Sequence, residues 1–149
     1  MDGLIAPDPD FTDRVRDSFN RQNAMGFIGA RLTKVEPGHV EIELPYRDEL
    51  TQQHKFFHGG ITTMIADSAA GYAAYSVFPA GSSVLTVEFK MSLLAPAAGE
   101  KLVATGKVVK PGRTLTLCDV EVHALKDGKS TLVLKGLETL FCLHDRPDR

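Results

Sequence analysis

The chain has 149 residues, of which 43% are hydrophobic and 24% are charged, and its formal net charge is -2. These values are ordinary for a globular protein, and the length suffices for one domain with a substantial core. The slight negative charge argues against a broad basic surface, so neither nucleic acid nor an anionic membrane is expected as a partner.

The first ten residues, MDGLIAPDPD, lack the basic and apolar regions of a secretory signal. No apolar run approaches the ~20 residues that a membrane-spanning helix requires. Cys118 and Cys142 lie in separate strand-like segments and form no CxxC pair, which favours buried free thiols over a disulfide. We therefore expect a soluble cytoplasmic protein.

The first predicted element is a short amphipathic helix over about residues 10–23. Phe11, Val15 and Phe19 are four residues apart and therefore share one face of a helix. Gly29 is one of two glycines that then interrupt the helical pattern.

Two strands and a second helix are predicted next. Apolar and polar residues alternate on both sides of Pro37-Gly38, which predicts a β-hairpin. Residues 48–57 are polar and aperiodic, which predicts a loop. From Gly59 to about Val77 the chain is apolar or small on nearly every side, and such a helix must be enclosed by other elements.

Four strand-like segments complete the chain, separated by turn residues at 96–99, 111–112 and 126–129. Their spacing predicts successive antiparallel strands of a meander. The whole pattern predicts an α+β domain in which one antiparallel sheet of six strands wraps around the long helix. Because such a sheet keeps an open outer face and open edges, we expect the protein to form oligomers.

Asp67 lies in the middle of this apolar helix. A buried carboxylate costs several kcal/mol unless it is paired, and such acids are concentrated at functional sites; a structural ion pair or a gap to solvent is the alternative. Gly59 and Gly60 open the helix, where free N–H groups either attract a negatively polarised oxygen or serve only the helix start. Gly59 and Asp67 are ~12 Å apart along the axis. If both act on one carbonyl, they must come from different copies of the chain.

Three segments carry a resemblance to a known family: HGGITTMIADSAAGYAAYS, LTVEFKMSLLAPAAGE and KPGRTLT. They resemble the hot-dog-fold acyl-CoA thioesterases of the phenylacetate-degradation type, over about residues 25–142. The resemblance implies one hot-dog domain over residues 1–149, with a six-stranded antiparallel sheet around a long central helix and a short N-terminal helix. It also implies dimers with a continuous sheet, assembled further as dimers of dimers.

The activity that the resemblance implies is hydrolysis of an aryl- or medium-chain acyl-CoA to the free acid and coenzyme A, with no further cofactor and no metal. Asp67 would be the nucleophile or the general base, and Gly59 of the opposite subunit would donate its N–H to the thioester carbonyl. Gln52 and Thr86 would position the thioester or the water, and His58 would shape the loop. The residues implied to bind coenzyme A are Lys110, Gly112, Arg113, Thr114, Leu94 and Ala95. Those implied to line the acyl pocket are Phe56, Phe57, Gly60 and Tyr72.

Two other functions remain open at this point. A protein of this fold could bind acyl-CoA without turnover, or it could be an enoyl-CoA hydratase. The hydratase arrangement places His and Asp on one helix, whereas His58 precedes the helix here. Gly71 also stands where some aryl-type relatives have a threonine that meets the substrate ring.

Overall fold

The computed structural model describes residues 3–149, which form three α-helices and six β-strands. Met1 and Asp2, the first residues of the predicted domain, lie outside the described residues. The helices are α1 (Phe11–Arg21), α2 (Asn23–Ile28) and α3 (Gly59–Tyr75). The strands are β1 (Arg31–Glu36), β2 (His39–Pro45), β3 (Ser83–Leu93), β4 (Lys101–Lys110), β5 (Leu115–Lys126) and β6 (Lys129–Leu143).

All six strands form one sheet in the order β1-β2-β4-β5-β6-β3, and every neighbouring pair is antiparallel. Helix α3 packs against five of these strands, and ten of its 17 residues are buried. The predicted sheet wrapped around one enclosed helix is therefore confirmed. Burial of this alanine-rich helix supplies most of the contact between the helical and sheet layers.

At Gly106, strand β4 comes very close to the backbone of α3. A Cβ atom at this position would overlap the carbonyl oxygen of Ala69 and would lie 2.6 Å from the backbone nitrogen of Ala70. Only glycine allows two backbones to come this near. Gly106 and the small residues of α3 thus set the distance between the helix and the sheet.

The N-terminal helical region is longer than predicted and is divided into two helices. Gln22 has an extended backbone (ψ 101°) between α1 and α2, so the single helix expected over residues 10–23 is wrong at its C-terminal end. Gly29, at φ 81°, ends α2 in the left-handed conformation that glycine adopts without steric cost.

The predicted meander is correct for β4, β5 and β6 and wrong for β3. Strand β3 pairs with β6 at the far edge of the sheet, while β4 pairs with β2. The reason is the path of α3, which carries the chain across the face of the sheet from β2 to the opposite edge.

Strand β3 contains a β-bulge at Val87. Thr86 lies opposite Leu140 of β6, but Phe89 lies opposite Glu138, with a register shift between Thr86 and Glu88. Because opposed residues share a face of the sheet, the bulge changes the inward-facing positions of β3 from even to odd numbers.

The edge strand β3 also exposes several large apolar side chains. Its exposed large apolar side chains are each about half accessible, and they are Leu85, Val87, Phe89 and Leu93. Such an edge presents unpaired backbone N–H and C=O groups together with exposed apolar side chains.

Cys118 and Cys142 are both free and buried, which confirms the prediction of unpaired thiols. Within residues 3–149, none of the helices combines the length and apolar character that a membrane span needs.

We expect Gly106→Ala to lower the free energy of unfolding by about 1–3 kcal/mol, because the new methyl group would overlap backbone atoms of α3 that cannot rotate away. Gly26→Ala is the control, since a Cβ atom there meets nothing within 4 Å in helix α2. That variant should gain about 0.5–1 kcal/mol. Urea unfolding followed by circular dichroism measures both, and an unchanged midpoint for Gly106→Ala would contradict the close approach.

Candidate active site

The N-terminus of α3 is capped by His58. Its Nδ1 atom accepts a hydrogen bond from Gly60 N–H at 2.8 Å, and its carbonyl oxygen accepts one from Thr62 N–H at 3.0 Å. The residues described supply no hydrogen-bond acceptor for Gly59 N–H. The first turn therefore presents a free donor at the positive end of the helix dipole, as the sequence predicted.

Gln52 folds back on the loop that precedes α3. Its side-chain oxygen accepts a hydrogen bond from His54 N–H, and its backbone N–H donates to the carbonyl oxygen of Phe56 at 2.9 Å. These bonds close a tight turn in which Lys55 has a positive φ of 65°. The turn brings Gln52 to the same end of α3 as the free Gly59 N–H.

Asp67, Thr86 and Glu138 form a row of polar side chains between α3, β3 and β6. Thr86 Oγ1 lies 2.7 Å from Asp67 Oδ1 and 3.0 Å from Glu138 Oε1. The structure thus brings together the two predicted residues Asp67 and Thr86, and it adds a second carboxyl group behind them. Thr86 holds the acid directly, while its expected role toward water stays a prediction.

Glu138 is a buried carboxyl group with only 1% of its surface exposed. Burial, followed by the neighbouring Asp67 carboxylate, raises the pKa of Glu138 to about 10, although the bond to Thr86 acts in the opposite direction. Oε2 of Glu138 has no hydrogen-bond partner among the described residues. An unpaired anionic oxygen would be very costly in this position, so Glu138 holds its proton at neutral pH.

A cavity of about 330 Å³ opens beside Asp67. Its walls come from α1, α3, the first residues of β3 and Asp148. Tyr72 Oη lies 3.1 Å from Ser18 Oγ, and Ser68 Oγ donates a hydrogen bond to Gln22 Oε1 at 3.2 Å. The volume falls in the range of ~300–1,000 Å³ that is usual for small-molecule sites. The cavity therefore suits a small group with both apolar and polar atoms.

Of the residues predicted to line the acyl pocket, Tyr72 lines this cavity. Gly71, which stands where some relatives have a threonine, lines it too. Phe57 is 3% exposed and packs edge-on against Tyr46, with ring centroids 5.6 Å apart. Phe56 lines a separate cleft at the start of β4. Since Phe56, Phe57 and Gly60 lie at the N-terminal end of α3, one chain does not bring them to Asp67.

The residues predicted to bind coenzyme A divide between the two ends of β3. The turn 110–114 lies beside the start of β3, because Thr114 O accepts a hydrogen bond from Cys142 N–H and Cys142 pairs with Val84. Leu94 and Ala95 follow the last residue of β3, near the N-terminus of α3. A single chain therefore does not assemble all of the predicted residues at one place.

Sequence reasoning missed three residues at the site: Glu138, Ser18 and Gln22. Glu138 occupies an inward position of β6, between buried Gly136 and Leu140. Its signal was that Glu138 is the one acidic residue of β6, in the apolar second half of the strand. Ser18 and Gln22 looked like the solvent face of an amphipathic helix, and no sequence signal distinguished them from surface residues. Among the described residues, no three His, Cys, Asp or Glu side chains are grouped as metal ligands.

We expect the free energy of unfolding of Glu138→Gln to rise relative to that of the wild type as the pH rises from about 5 to 9, by up to about 1.4 kcal/mol for each pH unit. The folded pKa of Glu138, about 10, exceeds its ordinary value of 4.5, so over this window the unfolded chain releases a proton that the folded chain keeps. The contribution of the neutral Glu138 to the free energy of unfolding is therefore fully present below pH 4.5, and it is lost as the pH rises toward 10.

The measurement is urea unfolding of both proteins at several pH values. Glu49→Gln is the matched control, because the Glu49 side chain is 76% exposed. A stability difference for Glu138→Gln that stays constant with pH would contradict the buried neutral acid.

The chain matches the family model of the Thioesterase superfamily over residues 54–131. A solved structure described as a thioesterase family protein from Silicibacter pomeroyi is 46% identical in sequence, with a TM-score of 0.88. The similarity covers 89% of this chain and 98% of that one.

Two further relatives extend the comparison. The human acyl-coenzyme A thioesterase 13 is 29% identical over 121 residues, covering 80% of this chain and 83% of that protein. The E. coli PaaI protein from the phenylacetic acid degradation operon is 18% identical with a TM-score of 0.79, over 91% of this chain and 95% of its own, and shows the same fold. These matches confirm the predicted hot-dog fold. The chain belongs to the thioesterase superfamily.

Proposed function

We propose that this protein hydrolyses acyl-CoA thioesters to the free acid and coenzyme A. The observation that carries the proposal is Asp67, which lies in the enclosed helix α3, borders a cavity and is held by Thr86, in a chain of the thioesterase superfamily. Asp67 acts either as the base that takes a proton from the attacking water or as the nucleophile itself. In the base route, the water oxygen bonds to the carbonyl carbon as Asp67 takes its proton, the C–S bond breaks, and Asp67 returns the proton to the leaving thiolate of coenzyme A. In the nucleophile route, an Asp67 oxygen bonds to the carbonyl carbon and the C–S bond breaks, and water then cleaves the resulting acyl anhydride to release the free acid and restore Asp67. In both routes the carbonyl oxygen becomes negative before the C–S bond breaks.

The oxyanion donor in this proposal is Gly59 N–H of a second copy of the chain. Within one chain, Gly59 packs beside Leu93, where an added Cβ atom would lie 2.8 Å from Leu93 Cδ1. Thr86, which holds Asp67, is seven residues earlier in β3, or ~23 Å away along the strand. If two copies pair their β3 edges antiparallel, the Leu93 end of one meets the Thr86 end of the other. Gly59 of each copy then comes to Asp67 of its neighbour.

The character of β3 supports such a dimer. The strand has one unpaired edge, and half-exposed apolar side chains extend along its whole length. By contrast, the outer face of the sheet carries cross-strand ion pairs, such as Lys135 with Asp119 at 2.6 Å and with Glu121 at 2.9 Å. The β3 edge is therefore the proposed dimer interface, and a dimer of dimers remains the proposal for further assembly.

Pairing through β3 would also unite the divided coenzyme A residues. The turn with Lys110, Gly112, Arg113 and Thr114 lies two strands from the start of β3, or ~10 Å away. Leu94 and Ala95 of the second copy would reach the same end. Lys110 and Arg113 then supply cations for phosphate, while the cavity bounded by Tyr72, Val84 and Leu85 holds an aryl or medium-chain acyl group. Coenzyme A enters as part of the substrate, so the proposal needs no separate cofactor.

The alternatives are less well supported by the geometry. A hydratase needs a histidine beside the helical acid, whereas His58 is the cap of α3 and its Nδ1 is occupied by Gly60 N–H. A protein that only binds acyl-CoA has no need of a carboxylate held against its cavity by a dedicated hydroxyl.

Asp67→Asn should reduce the release of free thiol from benzoyl-CoA and hexanoyl-CoA by at least about 10³-fold, because the amide can neither accept the water proton nor attack the carbonyl. The matched control is Asp127→Asn in the β5–β6 turn, where φ is 49° and asparagine fits as well as aspartate. The control should stay within about twofold of the wild type. Full turnover by Asp67→Asn, with its oligomeric state unchanged, would refute the proposal.

Val87→Glu should convert the protein to a monomer in light scattering and lower thioester hydrolysis by more than about tenfold, since each active site would lose the Gly59 donor of its neighbour. Ile5→Glu is the control, because Ile5 is an apolar residue that is 83% exposed. The preceding residue, Leu4, packs beside Gly38 in the β1–β2 turn, at the edge of the sheet opposite β3. The Ile5→Glu variant should keep the oligomeric state and the rate of thioester hydrolysis of the wild type. A folded monomer of Val87→Glu with full activity would show that the site does not need a second chain.

A further inference from the structure

Thr86 lies within hydrogen-bond distance of two carboxyl groups, although its hydroxyl has only one proton to donate. Asp67 Oδ1 is 2.7 Å away and Glu138 Oε1 is 3.0 Å away. If both carboxyl groups were ionised, the hydroxyl could satisfy one and would face the other through its lone pairs. Both short distances are favourable hydrogen bonds when one carboxyl group is itself a donor.

The surroundings identify Glu138 as that donor. Its side chain is almost completely buried, and Oε2 has no partner among the described residues. Asp67, in contrast, borders the cavity. The site thus has an acid that water can reach and an acid that water cannot reach, and the second is the one that retains a proton.

We propose that Glu138 is a positioning residue for thioester hydrolysis, which as a neutral acid donates a hydrogen bond to Thr86 Oγ1 and thereby directs the Thr86 hydroxyl proton to Asp67 Oδ1. This inference rests on the proposed function and assigns to that reaction a residue that does not touch the substrate. The row runs from β6 through β3 to α3, and no covalent bond or net proton transfer is involved.

The groups that face Glu138 disfavour its ionised form. Helix α3 contributes the Asp67 carboxylate, β3 contributes the neutral Thr86 hydroxyl, and β5 contributes the Cys118 thiol. Burial raises the pKa of Cys118, and its Sγ lies 3.5 Å from the carbonyl oxygen of Ala70. In residues 3–149 no cation contributes to the pKa of Glu138. A negative charge on Glu138 would therefore face Asp67 without compensation.

The row has a direct consequence for Asp67. A hydroxyl that accepts one hydrogen bond becomes a stronger donor in the next, so the neutral Glu138 strengthens the bond to Oδ1 and stabilises the Asp67 carboxylate. Oδ1 is then fixed, and Oδ2 remains for the water or the thioester carbon. The bulge at Val87 contributes by placing Thr86 on the inner face of β3, opposite Leu140 and near Glu138.

The test compares Glu138→Leu with Glu138→Gln, since glutamine keeps a neutral donor of the same shape and leucine does not. For Glu138→Leu we expect kcat to fall by about tenfold with KM within about twofold, and the acidic limb of the pH profile to move to higher pH. Glu138→Gln should restore at least about a third of kcat and return the acidic limb to within about 0.3 pH units of the wild type.

Two results would overturn the proposal. If Glu138 were ionised, removing its charge would move the acidic limb to lower pH in both variants, because Asp67 would lose a like-charged neighbour. Wild-type kcat and an unshifted pH profile in Glu138→Leu would show that the buried acid has only a packing role.

A measurement that needs no turnover separates this proposal from the proposed function. The side-chain carboxyl carbon of Glu138, followed by ¹³C NMR in the wild-type protein, should keep the chemical shift of a neutral acid from about pH 5 to pH 9. A shift typical of a carboxylate at neutral pH would overturn the row even if Glu138→Leu failed to fold. If the wild type released no thiol but Glu138 stayed neutral, the proposed function would fail while the protonation of Glu138 would stand.

Discussion

The structure depends on the enclosure of one helix that is apolar on nearly all sides. Helix α3 can be buried only if the rest of the chain surrounds it, and the single sheet does so by curving across β2, β4, β5, β6 and β3. Gly106 allows the sheet to approach the helix backbone, and Arg14 closes the far end by donating to the carbonyl oxygens of Tyr75, Phe78 and Pro79 at 2.7–3.1 Å. The position of Asp67, half-buried at the wall of the cavity, follows from this enclosure.

The sequence predicted the helices and strands better than it predicted which strands lie side by side in the sheet. Helix α3 and its acid were evident, because a run of small and apolar residues with one carboxylate is unusual in any local pattern. The pairing of β3 with β6 was not, since it depends on the side to which α3 carries the chain. Strand periodicity contains no information about that path.

The acid on β6 was missed for a related reason. Glu138 and its neighbours Leu137 and Thr139 point to opposite faces of the sheet. The face opposite Glu138 also carries apolar residues, such as Leu137 and Phe141, so both faces of this strand are partly apolar. Alternation alone cannot tell which face of such a strand is inside. Once the fold is known, Glu138 lies on the inner face, and burial separates its behaviour from that of Asp67. Two carboxyl groups of similar chemistry thus differ because only one of them borders the cavity.

Part of the cavity wall is formed by Ser18 of helix α1 and by Gln22, which follows that helix; both lie before the sheet and outside the segment that carries Asp67 and Thr86. Under the proposed function, two separate parts of the polypeptide would meet the acyl group: this N-terminal region, and the segment with Tyr72 that also carries Asp67. Substitutions at Ser18 or Gln22 would then alter the shape and polarity of the cavity without replacing Asp67 or Thr86. The N-terminal wall is therefore the part of the site where a change of acyl preference would require the fewest changes to the proposed reaction centre.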